Sequence, residues 1–161
     1  MAGDRGPFRQ LLALATALAG ALPGCNPSIG VEVAGDGIGG EGAVRVALPG
    51  GAAVHQMVTL IPPSPRRYEL FEIRSVVRNP GARPVRLLMA GCLLPVSGSL
   101  SVDEPLLACR SGPSVVGIEA YDSIVATRPA HTDSPPGTYQ LGVTQLLDPE
   151  VTVSIQVSVR P

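Results

Sequence analysis

The sequence predicts an all-β fold, a sandwich of about seven antiparallel strands, and three observations carry that expectation. From residue 43 onward, apolar residues alternate with polar ones at a period of two. That spacing buries one face of a strand and wets the other. Clusters of Pro, Gly and Asn separate the alternating runs as turns do. No run repeats its apolar positions at the helical period. Composition agrees, because 45% hydrophobic residues alongside 19 Gly and 17 Pro in 161 residues describe a folded, turn-rich chain of one-domain size. With 3% aromatics and no Trp, the interior must be filled by Val, Leu, Ile and Ala.

The chain opens with a segment outside the sandwich. Met1 to Gln10 carries Arg5 and Arg9, and Leu11 to Leu22 is apolar on every side. The apolar run falls short of the roughly 20 residues a spanning helix needs. A basic start, a short apolar helix and small residues at its end make a secretory signal peptide over residues 1–24. Two cleavage readings follow. Ala17-Leu18-Ala19 or Ala19-Gly20-Ala21 suits an ordinary signal peptidase. Leu22-Pro23-Gly24-Cys25 resembles the lipobox of bacterial lipoproteins, with Leu three before the cysteine and Gly one before it. Pro23 stands where that family has a small or hydroxyl residue. The resemblance implies cleavage before Cys25 and an acylated Cys25 that anchors an exported protein in the cell envelope. Residues 25–42 then read as a Gly-rich tether, with Gly30, Gly35, Gly37, Gly39, Gly40 and Gly42. Ile29 to Val33 within it has the composition of a short edge strand.

Residues 43–161 form the domain. Val44, Val46 and Leu48 mark a first run, and Val54, Val58 and Leu60 a second. Ile61-Pro62-Pro63-Ser64-Pro65 cannot continue a central strand, because each Pro lacks a donor. Phe71, Ile73, Ser75 and Val77 share one face, and Val85, Leu87 and Met89 share another. Asn79 to Pro84 lies between those two runs and predicts a hairpin. Tyr139, Leu141 and Val143 alternate with Gln140 and Gly142. Leu147 to Glu150 turns into the cleanest run, Val151, Val153, Ile155, Val157 and Val159.

The stretches FEIRSVVRNPGARPVRLLMAGC and SPPGTYQLGV resemble the strand-turn-strand and the penultimate strand of bacterial immunoglobulin-like domains. The resemblance covers about residues 68 to 160. It implies an immunoglobulin-like sandwich in which Tyr139 acts as a tyrosine corner, its hydroxyl bonding back to the chain upstream. Bacterial proteinase-inhibitor-like domains have a similar arrangement.

The chemistry-bearing residues are few. With Cys25 acylated, Cys92 and Cys109 remain as a pair. A disulfide between them would close a loop at a gain of about 3 kcal/mol, and two separate thiols are the alternative. That loop is also where a protease-inhibitor reading would put its contact. His55 and Met57, two apart on a strand, share a face, and imidazole with thioether suits Cu(I). Met89 and His131 are the residues left to complete a copper site, and an exposed histidine beside a half-buried methionine is the plainer reading. Arg66, Arg67, Arg74, Arg78, Arg83 and Arg86 gather around the expected hairpin. Glu69 and Glu72 are interleaved with them, which predicts paired charges on a solvated face.

No Gly-x-Ser-x-Gly elbow occurs. His131-Thr132-Asp133-Ser134 holds triad residue types in one loop, whereas triads come from separate segments. The Gly-rich tether lacks the Lys-Ser/Thr of a phosphate loop. Removing residues 1–24 takes away Asp4, Arg5 and Arg9, leaving 12 acids against 10 Arg. That balance gives nucleic acid no electrostatic reason to bind. The sequence therefore predicts a non-enzymatic binding or envelope-structural module without a cofactor. Its partners are the membrane and another envelope protein, met through sheet edges, the Cys92–Cys109 loop and the Pro-rich 61–65 and 129–137 segments.

Overall fold

Alternation becomes strand wherever it is strongest. The computed structural model describes residues 31–34 (as backbone), 39–91, 94–103 and 112–161. Residues 1–24, Cys25, Cys92 and Cys109 lie outside the described residues, and with them the expected signal peptide, lipidation and disulfide. The strands are β1 (Val31–Ala34), β2 (Glu41–Ala47), β3 (Ala53–Ile61), β4 (Phe71–Arg78), β5 (Val85–Met89), β6 (Val96–Gly98), β7 (Ser114–Ile118), β8 (Ser123–Ala130), β9 (Gly137–Asp148) and β10 (Glu150–Val159). They make two antiparallel sheets. The first has the order β1-β2-β3-β4-β8, and the second β10-β9-β5-β7 with β6 beside β9. Among the described residues no helix is long and apolar enough to cross a membrane.

The inner faces are those the alternation names. Val44 and Val46, Val54, Val58 and Leu60, and Phe71, Ile73 and Val77 are buried against Val85, Leu87 and Met89, Leu141 and Val143, and the five β10 residues Val151 to Val159. Full burial of one such side chain contributes about 1.5–3 kcal/mol. Gln56 is also buried, and its Nε2 donates to the buried Ser75 Oγ at 3.4 Å. This cross-strand pair accounts for the polar residues inside two otherwise apolar faces. At Gly98 (φ +119) β6 crosses so close to β9 that a Cβ would fall on the carbonyl oxygen of Gln140.

Several sequence expectations are corrected. Ten strands are described rather than about seven, because β6, β7 and β8 carry no clean alternation. In β8 the outward Val125 is exposed and the inward Arg128 is buried, donating to the Leu94 carbonyl at 2.7 Å. That inversion hides the strand from a polarity pattern. The hairpin across Asn79 to Pro84 does not form. β4 pairs with β3 and β8 in the first sheet, while β5 pairs with β7 and β9 in the second, so the connection crosses between sheets. The arginines consequently do not gather. Arg74 and Arg78 stand on the first sheet, Arg86 on the second, Arg83 in the turn, and Arg66 and Arg67 at the far end of the strands. Nor is any of them ion-paired with Glu69 or Glu72 among the described residues. Strand β1 falls inside the 25–42 segment, and β2 begins two residues ahead of position 43.

The sandwich has two ends. One carries the β2–β3 connection, the crossovers after β4 and β7 and the β9–β10 turn. The other carries residues 62–70 between β3 and β4, residues 131–136 between β8 and β9, and the end of β10.

Candidate functional site

The Pro-rich 62–70 connection is too proline-dense for a strand, and its backbone is held by side chains and by distant segments. Arg160 donates its N–H to the Pro65 carbonyl at 2.9 Å and its Nε to the Ser64 carbonyl at 2.7 Å. The Tyr68 N–H reaches the Thr132 carbonyl at 2.7 Å, and Arg67 Nε the Asp133 carbonyl at 2.6 Å. Within the loop, the Arg66 N–H donates to Glu69 Oε2 at 2.7 Å, and the Glu69 N–H to the Arg66 carbonyl at 3.0 Å. The Pro-rich 61–65 and 129–137 segments thus lie at the same end of the fold, joined through Arg67 and Tyr68, which follow the first of them.

This bracing displays apolar side chains to solvent. Tyr68 is 64% exposed and Leu70 63% exposed, with Ile61 beside them at the end of β3. The Arg67 guanidinium lies 4.7 Å from the centroid of the Tyr68 ring. Tyr68 also has φ 62, in the left-handed region that costs a residue with a Cβ roughly 1 kcal/mol. Sequence reasoning missed this residue. Its one signal is an aromatic in a chain with few of them, directly after Arg66-Arg67 and a proline cluster.

The neighbouring 131–136 loop has its polar groups occupied by architecture. Thr132 and Ser134 are buried. Thr132 Oγ1 accepts the Ser134 N–H at 3.1 Å, and Ser134 Oγ accepts the Ser101 N–H at 3.1 Å. His131 Nε2 stands 3.7 Å from Asp103 Oδ2. The His-Thr-Asp-Ser sequence thus spends one hydroxyl on its own turn and the other on the backbone of Ser101. Tyr139, at the start of β9, donates its hydroxyl to the Pro135 carbonyl at 2.8 Å, four residues upstream. Tyr139→Phe is expected to lower stability by about 1 kcal/mol. Thermal melts followed by circular dichroism read this directly, and an unchanged melt would mean that the bond contributes nothing.

The copper candidates are dispersed. His55 and Met57 do share the outward face of β3, but their cross-strand neighbours are Arg45, Arg78, Ala43 and Val76. Met89 is buried in the core, and His131 lies beside Asp103. Among the described residues no group of three or more His, Cys, Asp or Glu gathers.

Two shallow crevices lie among the described residues. One, of about 370 Å³, lies at the crossover end and is lined by Leu48, Pro49, Pro84, Arg86 and Asp148. The other, of about 320 Å³, follows the seam between β7 and β8 and is lined by Met89, Val116, Ile124 and Gln145. Gln145 is the extra residue of a bulge in β9, and its buried Oε1 has no hydrogen-bond partner. No family model matches the chain, and no curated protein is similar to it in sequence.

Proposed function

We propose that the chain is an exported lipoprotein anchored through Cys25, whose immunoglobulin-like domain binds an envelope protein without catalysis. The observation that carries the reading is the Tyr68 loop. A strained, solvent-exposed tyrosine is held by hydrogen bonds from two other segments, with Leu70 and Ile61 beside it. Tyrosine and arginine dominate protein interfaces, because they bring large contact area at little conformational cost. A braced loop has already lost the entropy that binding would otherwise remove. Strain without a structural return is typical of functional positions.

Two features support the immunoglobulin-like reading. The neighbours β3-β4-β8 and β10-β9-β5-β7 follow the A-B-E and G-F-C-C′ order of that fold. Tyr139 bonds upstream at the corner where the chain passes from β8 to β9, which is where a tyrosine corner belongs. The anchor rests on the lipobox-like Leu22-Pro23-Gly24-Cys25 and on the parity of the remaining cysteines.

Crosslinking of the anchored protein in its native envelope, followed by mass spectrometry, tests the reading. We expect a protein adduct that disappears when both Tyr68 and Leu70 are replaced by Ala, and acyl groups on Cys25 in the mature N-terminal peptide. An adduct indifferent to both substitutions would sink the Tyr68 site, and an unmodified N-terminus at Gly20 or Leu22 would sink the anchor.

A further inference from the structure

Antiparallel register places the outward side chains of the first sheet in rows, with neighbouring strands directly opposite. One row runs Arg45, His55, Arg78, Ser123. The next runs Ala43, Met57, Val76, Val125. A third runs Glu41, Thr59, Arg74, Thr127. A row that carries Arg45 and Arg78 therefore lies parallel to an apolar one, about 7 Å away along the strands. Met57 is 47% exposed and Val125 46%, so the apolar row is open to solvent. Across β3, β4 and β8 these three rows hold Arg74, Arg78 and His55 and no acid. Glu32 stands on the edge strand β1, opposite Arg45, Glu41 stands on β2, and Glu72 lies in the next row, nearer the Tyr68 end.

The path of the chain says which surface is near. β1 enters the sheet with Val31 opposite Val46, one position from Arg45. Cys25 precedes Val31 by six residues, a reach of at most about 22 Å. An acylated Cys25 would therefore hold the cationic end of this face within reach of lipid headgroups. We propose that the outward face of the first sheet docks on the anionic phospholipid surface that receives the anchor. Arg78 and Arg74 would meet headgroup phosphates, and Met57, Val76 and Val125 the boundary with the acyl chains. This inference rests on the lipidated reading of Cys25. The Tyr68 loop lies at the opposite end of the strands from Arg45 and Arg78.

Met57 is the natural reporter, since a docked thioether is shielded from oxidation. The acylated full-length protein is reconstituted on vesicles of phosphatidylcholine alone or with phosphatidylglycerol, and hydroxyl-radical labelling is read by mass spectrometry. Labelling of Met57 is expected to fall at least about fivefold on the anionic vesicles only, with Tyr68 unchanged. Raised salt should restore it. Each arginine near such a surface is worth about fivefold in affinity, so replacing Arg74 and Arg78 together by Ser should weaken docking about 25-fold and reopen Met57. Circular dichroism checks that this variant folds. Equal Met57 labelling on both compositions, the result an acidic protein partner would give, overturns the proposal, as does protection that survives loss of both arginines.

A Cys25→Ser chain added to excess vesicles separates this proposal from the anchor. Protection there while the native N-terminus carries no acyl group rejects the anchor and keeps the docking face. No protection in either form rejects the face, while the N-terminal mass still decides the anchor.

Discussion

Asn79→Ala is expected to cost the domain about 3 kcal/mol, a fall in melting temperature of roughly 10 °C. Asn79 is buried where the chain leaves the first sheet for the second. Its Oδ1 accepts the Gly81 N–H at 2.9 Å, which closes the turn on itself. Its Nδ2 lies 2.7 Å from the Arg83 carbonyl, 3.0 Å from that of Glu119 and 3.2 Å from that of Ile118. Two amide hydrogens serve three acceptors, so at least one is shared. Its own N–H donates to the Asp122 carbonyl at 2.9 Å. One side chain thereby ties the β4–β5 crossover to the β7–β8 crossover. Alanine removes the donors from all three carbonyls, of which that of Glu119 keeps the Asp122 N–H.

Asn79→Asp sharpens the test. The aspartate keeps the acceptor for Gly81 and nearly the same shape. It replaces the donor with an oxygen that faces three carbonyl oxygens, and it adds charge in a buried place. It should destabilise at least as much as alanine. If Asn79→Asp melts with the native protein, the Nδ2 bonds are not what holds the two crossovers together, and packing of the turn carries them instead.

That residue also marks the limit of what the sequence discloses. Val44 to Val46, Phe71 to Val77, Val85 to Met89 and Val151 to Val159 are legible because a single strand's alternation is a local property, and burial follows it. The direction of the chain after Asn79 is not local. The turn Asn79-Pro80-Gly81 suits a hairpin by its residue types alone. What decides for a crossover is Asn79 reaching carbonyls some forty positions away. β8 fails for a related reason, since Arg128 is buried on a face whose partner carbonyl comes from Leu94. The candidate site was half legible. Its two loops stand out by their prolines, but Tyr68 is placed by its own N–H bond to Thr132 and by the Arg160 bonds to Ser64 and Pro65, which no spacing in the sequence announces.

Tyr68→Gly should abolish partner binding while leaving stability within about 0.5 kcal/mol of the native domain. The ring is mostly in solvent, so the core loses almost nothing with it. Glycine adopts the left-handed backbone at no steric cost, which recovers roughly 1 kcal/mol. Against that, the cation–π contact with Arg67 is lost, worth about 0.5–1 kcal/mol at an exposed site, and the unfolded chain gains freedom. The terms nearly cancel. Tyr68→Ala makes the comparison that isolates strain, because alanine loses the ring and keeps the unfavourable φ. It should be less stable than Tyr68→Gly by about 1 kcal/mol and equally unable to bind. At a hot spot, loss of the aromatic weakens association by at least about 30-fold, measurable with whichever protein the crosslinking identifies. A Tyr68→Gly domain destabilised by more than about 2 kcal/mol would show instead that the tyrosine is held there for the fold.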